Sequence, residues 1–438
     1  PVRTLLVLSL SYLLIYTSYN GIQNIQSSIN DKGGLGVITL ASVYIMMVLF
    51  SPLATSIIRQ VGSKTILLIQ WVCIGLFIGA NFYPNFYTLI PTSLLVGACS
   101  ACTGAIGSLY LVTISDSYIV KNKLTPDRRH VILSIIFGVF FTFFESTQIT
   151  GNLFSSLVLF IFSSQPTANA TASDKVCGAQ LCSGTSTNGS SSEISHPSQD
   201  TLYLLFGIFL GCVLLGFLLT LTLLPQLKLP QEKSSLCHEI GSCFRTLAQV
   251  RCALLAPVIM AQGMMVMIMY TGFTQAFVSC SMGVEWVGFV MMAYGASTAM
   301  FATVANYLAR YLGRVVLMIT FIVVDSGLLV TMLLWTPGHG QVSTIIIFSM
   351  AVAEGVSEGI SQPQFNSIVS IVFRENLPPA FVVYYMIKCL SFSISLAVSS
   401  FACLYHRLYL ALGLYALGLV GYVITEVMAN RRPSEEEK

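Results

Sequence analysis

The chain keeps returning to apolar stretches long enough to cross a bilayer, most plainly at 201–224 and 408–427. About 20 apolar residues wound as a helix span the hydrocarbon core. That core offers no water to backbone N–H and C=O groups, so only helices and closed barrels cross it. A barrel is written as short alternating segments, and these are absent. The expected fold class is therefore an all-α polytopic membrane protein. Composition agrees: 55% of residues are hydrophobic and 9% charged, where a soluble domain carries about 25% charged residues.

Twelve spans are expected, near 4–27, 36–58, 65–83, 87–117, 131–152, 201–224, 253–279, 285–309, 313–335, 342–372, 379–404 and 408–429. The apolar 153–163 reads as an extension of the fifth. The polar 225–252 divides the spans six and six. This gives an N-terminal half over 1–224, a linker over 225–252, a C-terminal half over 253–430 and a tail over 431–438. The chain opens on Pro1, and the expectation is that the natural polypeptide begins further upstream. In the linker, Leu236, Ile240, Phe244 and Leu247 recur at helical spacing, which predicts an amphipathic helix lying on the cytosolic face.

Charge sets the expected orientation. One set of loops holds Arg59 and Lys64, then Lys121, Lys123, Arg128 and Arg129, then Lys228, Lys233, Arg245 and Arg251, then Arg310, Arg314 and Arg374. The opposite set holds only Lys32, Lys175 and Arg407. By the positive-inside rule both termini and the linker are cytosolic, and the long loop near 163–200 is outside. That loop carries Asn169-Ala-Thr171 and Asn188-Gly-Ser190, both N-glycosylation acceptor patterns. It also carries Cys177 and Cys182, in a compartment where disulfides persist. The two can close a small ring, and Cys280, near the outer end of its span, competes for a partner.

Six plus six spans suggest a duplicated transporter-type fold. Both halves place Arg, then Gly three residues on, then a base, after their second span: Arg59, Gly62 and Lys64 in one, Arg310, Gly313 and Arg314 in the other. Gly permits the tight turn. The pattern resembles the major facilitator superfamily, whose fuller motif also includes an Asp absent from both loops. That absence argues against an ordinary alternating-access cycle.

A closer resemblance rests on YNGIQNIQSSIN (19–30), NFYTLIPTSLLVG (85–97), GNLFSSLV (151–158) and SCSMGVEWVGFVMMAYGAST (279–298). On these stretches the chain resembles the Unc-93-like branch of that superfamily, and CGAQLC (177–182) fits the branch's cysteine pair. ACTGAIGS (101–108) and SQPQFN (361–366) depart from the branch's usual clusters. The resemblance implies twelve helices, a cell-membrane location and a non-enzymatic accessory role. The implied partner is a potassium channel of the two-pore-domain type, or a receptor escorted through the secretory pathway. Secondary transport of a small solute, coupled to protons, is the competing expectation.

Several polar residues lie inside the expected spans. Tyr16, Asn20, Gln23, Asn24 and Ser27 form one stripe on the first, which faces either a central cavity or a neighbouring helix. Gly97, Ala101, Gly104 and Ser108 form a small-residue stripe on the fourth, suited to close packing. Met260, Met264, Met265, Met267 and Met269 enrich the seventh, commonly a sign of lipid-facing or core-filling residues, with a partner-binding face as the alternative. Glu145, Asp325, Glu354, Glu358 and Lys388 put charges at depth, each costing on the order of 3 kcal/mol to insert. Glu354 and Glu358 share a helix face, and Lys388 is expected to pair with one of them. The structural reading is an interhelical pair; the functional reading is a proton or cation site. No spacing of histidines suggests a metal, no triad is visible, no cofactor is implied, and no basic patch suggests nucleic acid.

Overall fold

A computed structural model describes residues 1–30, 32–123, 129–162, 177–182, 198–227, 236–338, 340–373 and 377–430. Fourteen α-helices are found there. In the N-terminal half they are α1 (Val2–Ile29), α2 (Leu35–Phe50), α3 (Ala54–Val61), α4 (Ser63–Ala80), α5 (Phe86–Lys121), α6 (Arg129–Phe162) and α7 (Gln199–Leu223). The linker forms α8 (Leu236–Leu247). The C-terminal half holds α9 (Val250–Met267), continuing as a π-helix over Ile268–Ser279, then α10 (Val287–Leu312), α11 (Arg314–Leu334), α12 (Gln341–Val372), α13 (Leu377–Phe401) and α14 (Leu404–Asn430). A short 3-10 turn at Ser51–Leu53 joins α2 to α3, so the two together make the second span.

Ten helical stretches among the described residues are long and apolar enough to cross a membrane. With α6 and α10 the bundle reaches the expected twelve. The interior of α6 is diluted by Glu145, Thr147, Gln148, Thr150 and Asn152, and four of these bond to other helices. A helix that turns a polar face to its neighbours needs less apolar length than one surrounded by lipid.

The duplication is visible in which helices touch. In the first half α1 packs on α6 and α7, α2 on α5, and α4 on α5 and α7. In the second half α9 packs on α13 and α14, α10 on α12, and α11 on α12 and α14. These are the same five pairings, shifted by six spans. The halves meet along α6·α10 and α2·α13, which exchange under the same shift. Here the ends of the bundle take their names from the loop charges: the outer end carries Cys177, the inner end α8.

Glycine sets the close approaches. A Cβ at Gly97 of α5 would lie 2.2 Å from the Val43 carbonyl oxygen of α2, and one at Gly355 of α12 would lie 2.4 Å from the Tyr294 carbonyl oxygen of α10. These two contacts occupy equivalent pairings. The small-residue stripe of α5 is used only in part, because a Cβ at Gly104 meets nothing within 4 Å. The methionines of α9 are core residues: Met264, Met265, Met267 and Met269 are fully buried. Core filling is thus the reading found for these four, rather than a lipid-facing or partner-binding one.

Candidate functional site

The stripe on α1 faces protein. Asn20 donates to Thr147 Oγ1 of α6 at 2.9 Å, and Asn24 donates to Asn152 Oδ1 at 2.8 Å. Gln23 donates to the Tyr44 hydroxyl of α2 at 2.9 Å. Tyr16 packs among Tyr12, Trp71 and Phe144. Ser27 is buried with no hydrogen-bond partner for its hydroxyl. Of the two readings of this stripe, helix–helix bonding is the one found. The partners on α6 were missed because single-sequence periodicity does not say which helix will lie opposite.

Asp325, Glu354, Glu358 and Lys388 are buried and Glu145 is half-buried, and the five lie in two groups. Asp325 of α11 accepts from Ser357 of α12 and Tyr415 of α14. Glu354 on α12 lies beside the same carboxyl. This group lies inside the C-terminal half. The second group spans the two halves. Glu145 on α6, Glu358 on α12 and Lys388 on α13 lie within electrostatic reach of one another. Glu358 accepts from the Tyr294 hydroxyl of α10. Lys388 is buried, with its Nζ 5.9 Å from the centre of the Phe392 ring.

The expected contact pair is therefore corrected. Among the described residues Lys388 makes no salt bridge with Glu354 or Glu358, whereas Arg314 pairs with Glu426. Glu354 has turned to Asp325. The heptad-like spacing put Glu354 and Glu358 on one face, yet one turn of helix was enough to send them to different neighbours.

Next to the two groups, the seam between the halves is apolar. Val37, Leu40, Ala41 and Tyr44 of α2 cluster with Val266 and Met267 of α9 and Cys389 and Leu396 of α13. Tyr44 meets Phe392 edge to face, with ring centres 4.8 Å apart. Gln148 of α6 donates across the seam to the Tyr270 hydroxyl at 3.2 Å.

The loop motif folds as its glycines require. Gly62 has φ +91° and Gly313 φ +80°, values that favour a residue without Cβ. The base that follows each glycine reaches equivalent helices. Lys64 Nζ donates to the Leu221 carbonyl near the end of α7 at 2.9 Å. Arg314 donates to Glu426 Oε1 near the end of α14 at 2.5 Å. The motif's missing Asp is thus replaced in the second half by a carboxylate from another helix. That weakens the argument drawn from its absence.

The cysteines are also corrected. Cys177 and Cys182 do not join each other. Cys177 pairs with Cys280 and Cys182 with Cys403, across sequence separations of 103 and 221. The sequence offers Cys280 as a competitor, but its hydropathy puts Cys403 within a span, away from the loop. Arg407 was assigned to an outer loop. It is instead only 2% exposed, donating to Ser395 Oγ, the Met267 carbonyl and Thr271 Oγ1. Asn169 and Asn188 lie outside the described residues.

The family described as "Ion channel regulatory protein UNC-93" matches residues 26–424. The chain belongs to the UNC-93 family. Its UNC-93 relatives include mouse "Protein unc-93 homolog A", 32% identical over 99% of this chain and 95% of that protein. The Caenorhabditis elegans "Putative potassium channel regulatory protein unc-93" is 26% identical over 96% of this chain and 60% of that protein. Among solved structures the UNC-93 chain is similar in fold to the nucleoside transporter NupG, with TM-score 0.67, 14% identity and coverage of 96% and 99% of the two chains. A D-xylose-proton symporter gives TM-score 0.61 at 12% identity, covering 97% of each chain. At these identities the likeness concerns the fold, which is that of the major facilitator superfamily.

Proposed function

We propose that this chain is a non-enzymatic accessory membrane protein that regulates a potassium channel. The family's description and the printed name of the nematode relative support the class of partner. One structural observation carries the reading. The polar side chains of α1, which would be free for solute in a transporter, are committed to α6 and α2. The bundle serves as a scaffold whose lipid-facing helices meet the channel's helices by packing. Two-pore-domain channels co-expressed with the chain are expected to change in current or in surface density. A second reading as a proton-coupled transporter is favoured by Glu145, Glu358 and Lys388, three charges that link the two halves. Unchanged currents and surface density across candidate channels, together with saturable solute uptake in proteoliposomes that Glu358→Gln abolishes, would move the assignment to transport.

A further inference from the structure

The stretch 177–182 belongs to the connection between α6 and α7, yet it is built into the other half of the molecule. Gly178 N donates to the Ala276 carbonyl at 2.9 Å, Leu404 N to the Leu181 carbonyl at 3.1 Å, and Tyr405 N to the Ala179 carbonyl at 3.0 Å. Its cysteines bond to Cys280 at the end of α9 and Cys403 at the start of α14. Cys177 and Ala179 are buried, and Leu181 packs against the main core. Gly178 sits at φ +94°, and a Cβ there would lie 3.1 Å from Pro337, in the connection after α11. Among the described residues, all hydrogen bonds and disulfides leaving this stretch go to the C-terminal half.

What it grips is the π-helical part of α9, Ile268–Ser279. A π-helix is a rare departure from the α-helix and often marks a functional site. Here both of its ends are tied to α14. At the inner end Arg407 of α14 donates to the Met267 carbonyl and to Thr271 Oγ1. At the outer end the stretch 177–182 bridges Ala276 and Cys280 to residues 403–405. The same part of α9 meets the N-terminal half at the outer end: it packs on α1, with Ser28 Oγ and Ser279 Oγ 3.2 Å apart.

We propose that 177–182 is a covalent staple that locks the outer part of α9 to α14 and so holds the outer end of the bundle shut. It acts within the C-terminal half. The chain on either side, 163–176 and 183–197, is too long to pull the halves together, since at ~3.3–3.6 Å per residue either arm reaches tens of ångströms. The staple fixes the element that would have to bend for the outer end to open. It holds whether the chain regulates a channel or carries a solute.

Hydrogen exchange on the full chain in nanodiscs, before and after reduction, reads the staple directly. Once both disulfides are open, amides of 268–279 and 404–408 are expected to exchange about tenfold faster or more, with α5 unchanged, because local opening follows local restraint. The Cys177→Ser/Cys182→Ser variant should reproduce this; if that variant fails to fold, reduction of the folded wild-type chain stands as the measurement. Unchanged exchange over 268–279 after reduction overturns the proposal, and so does loosening spread evenly over both halves. A protease site placed in 228–235 checks the pairing. The cut chain should run as one band without reductant and two with it, and two bands without reductant overturn the connectivity on which the staple rests.

Discussion

Arg407 carries a full charge to a buried place with no carboxylate beside it among the described residues. Its guanidinium is held by neutral oxygens alone, and its planar fork is what lets one side chain serve Ser395, Met267 and Thr271 together. A lysine there keeps the charge and loses the fork. Arg407→Lys is therefore expected to destabilise by about 1–3 kcal/mol, and by more than Arg407→Met, which removes the buried charge along with the bonds. Thermal unfolding in detergent orders the two; a methionine variant less stable than the lysine variant would refute this account. Lys388 is the opposite case, a buried amine with Glu145 and Glu358 in its surroundings. Lys388→Met should lower the yield of folded protein, and adding Glu358→Gln should restore part of it, since the carboxylates then no longer face each other uncompensated. Equal yields for the single and double variants would show that the three charges do not act together.

Whole helices meet where side chains are absent. Gly355 lets α12 lie against α10, and a side chain there would drive into the Tyr294 carbonyl. Gly355→Leu is expected to cost about 1–3 kcal/mol or more through overpacking. Gly104→Ala, on an open face of α5, should instead be neutral or stabilise by roughly 0.5–1 kcal/mol through helix propensity. Apparent melting temperatures from size-exclusion fluorescence separate the two. A Gly104→Ala variant as damaged as Gly355→Leu would mean that the face of α5 is covered by something other than lipid. The linker helix shows how far periodicity carries. Its spacing predicts α8 correctly, but the side it buries includes Cys243 and Thr246, while Phe244 and Leu247 remain exposed. Exposed apolar residues beside an exposed Arg245 suit a helix lying on a membrane surface.

For the molecule as a whole, the loop charges predict 225–252 in the cytosol and 163–200 outside. Glycosidase treatment should then lower the apparent mass, and Asn169→Gln with Asn188→Gln should abolish the shift. A mass unaltered by either change removes the glycosylation reading. A tag in 225–252 that is labelled on intact cells reverses the topology. The twelve helices and the six-and-six division were legible because hydropathy and loop charge are summed over many residues, so no single position decides them. The cysteine pairing was not legible. CGAQLC invites a local ring, and only the path of the chain over the outer end brings Cys280 and Cys403 within reach.

The sequence by itself determined that this chain crosses a membrane as helices, in two related halves, with positive-φ glycine turns in matching loops. Those properties follow from local physics: apolar length, backbone hydrogen bonding and the freedom of glycine. Tertiary structure alone decided where the polar groups go. Nothing in the spacing of Asn20 and Asn24 names Thr147 and Asn152, and nothing in the one-turn separation of Glu354 and Glu358 sends the first to Asp325 and leaves the second facing Lys388 and Glu145. In an interior with no water to satisfy them, such groups take whichever partner the packing of distant helices presents, and that packing is a property of the whole bundle.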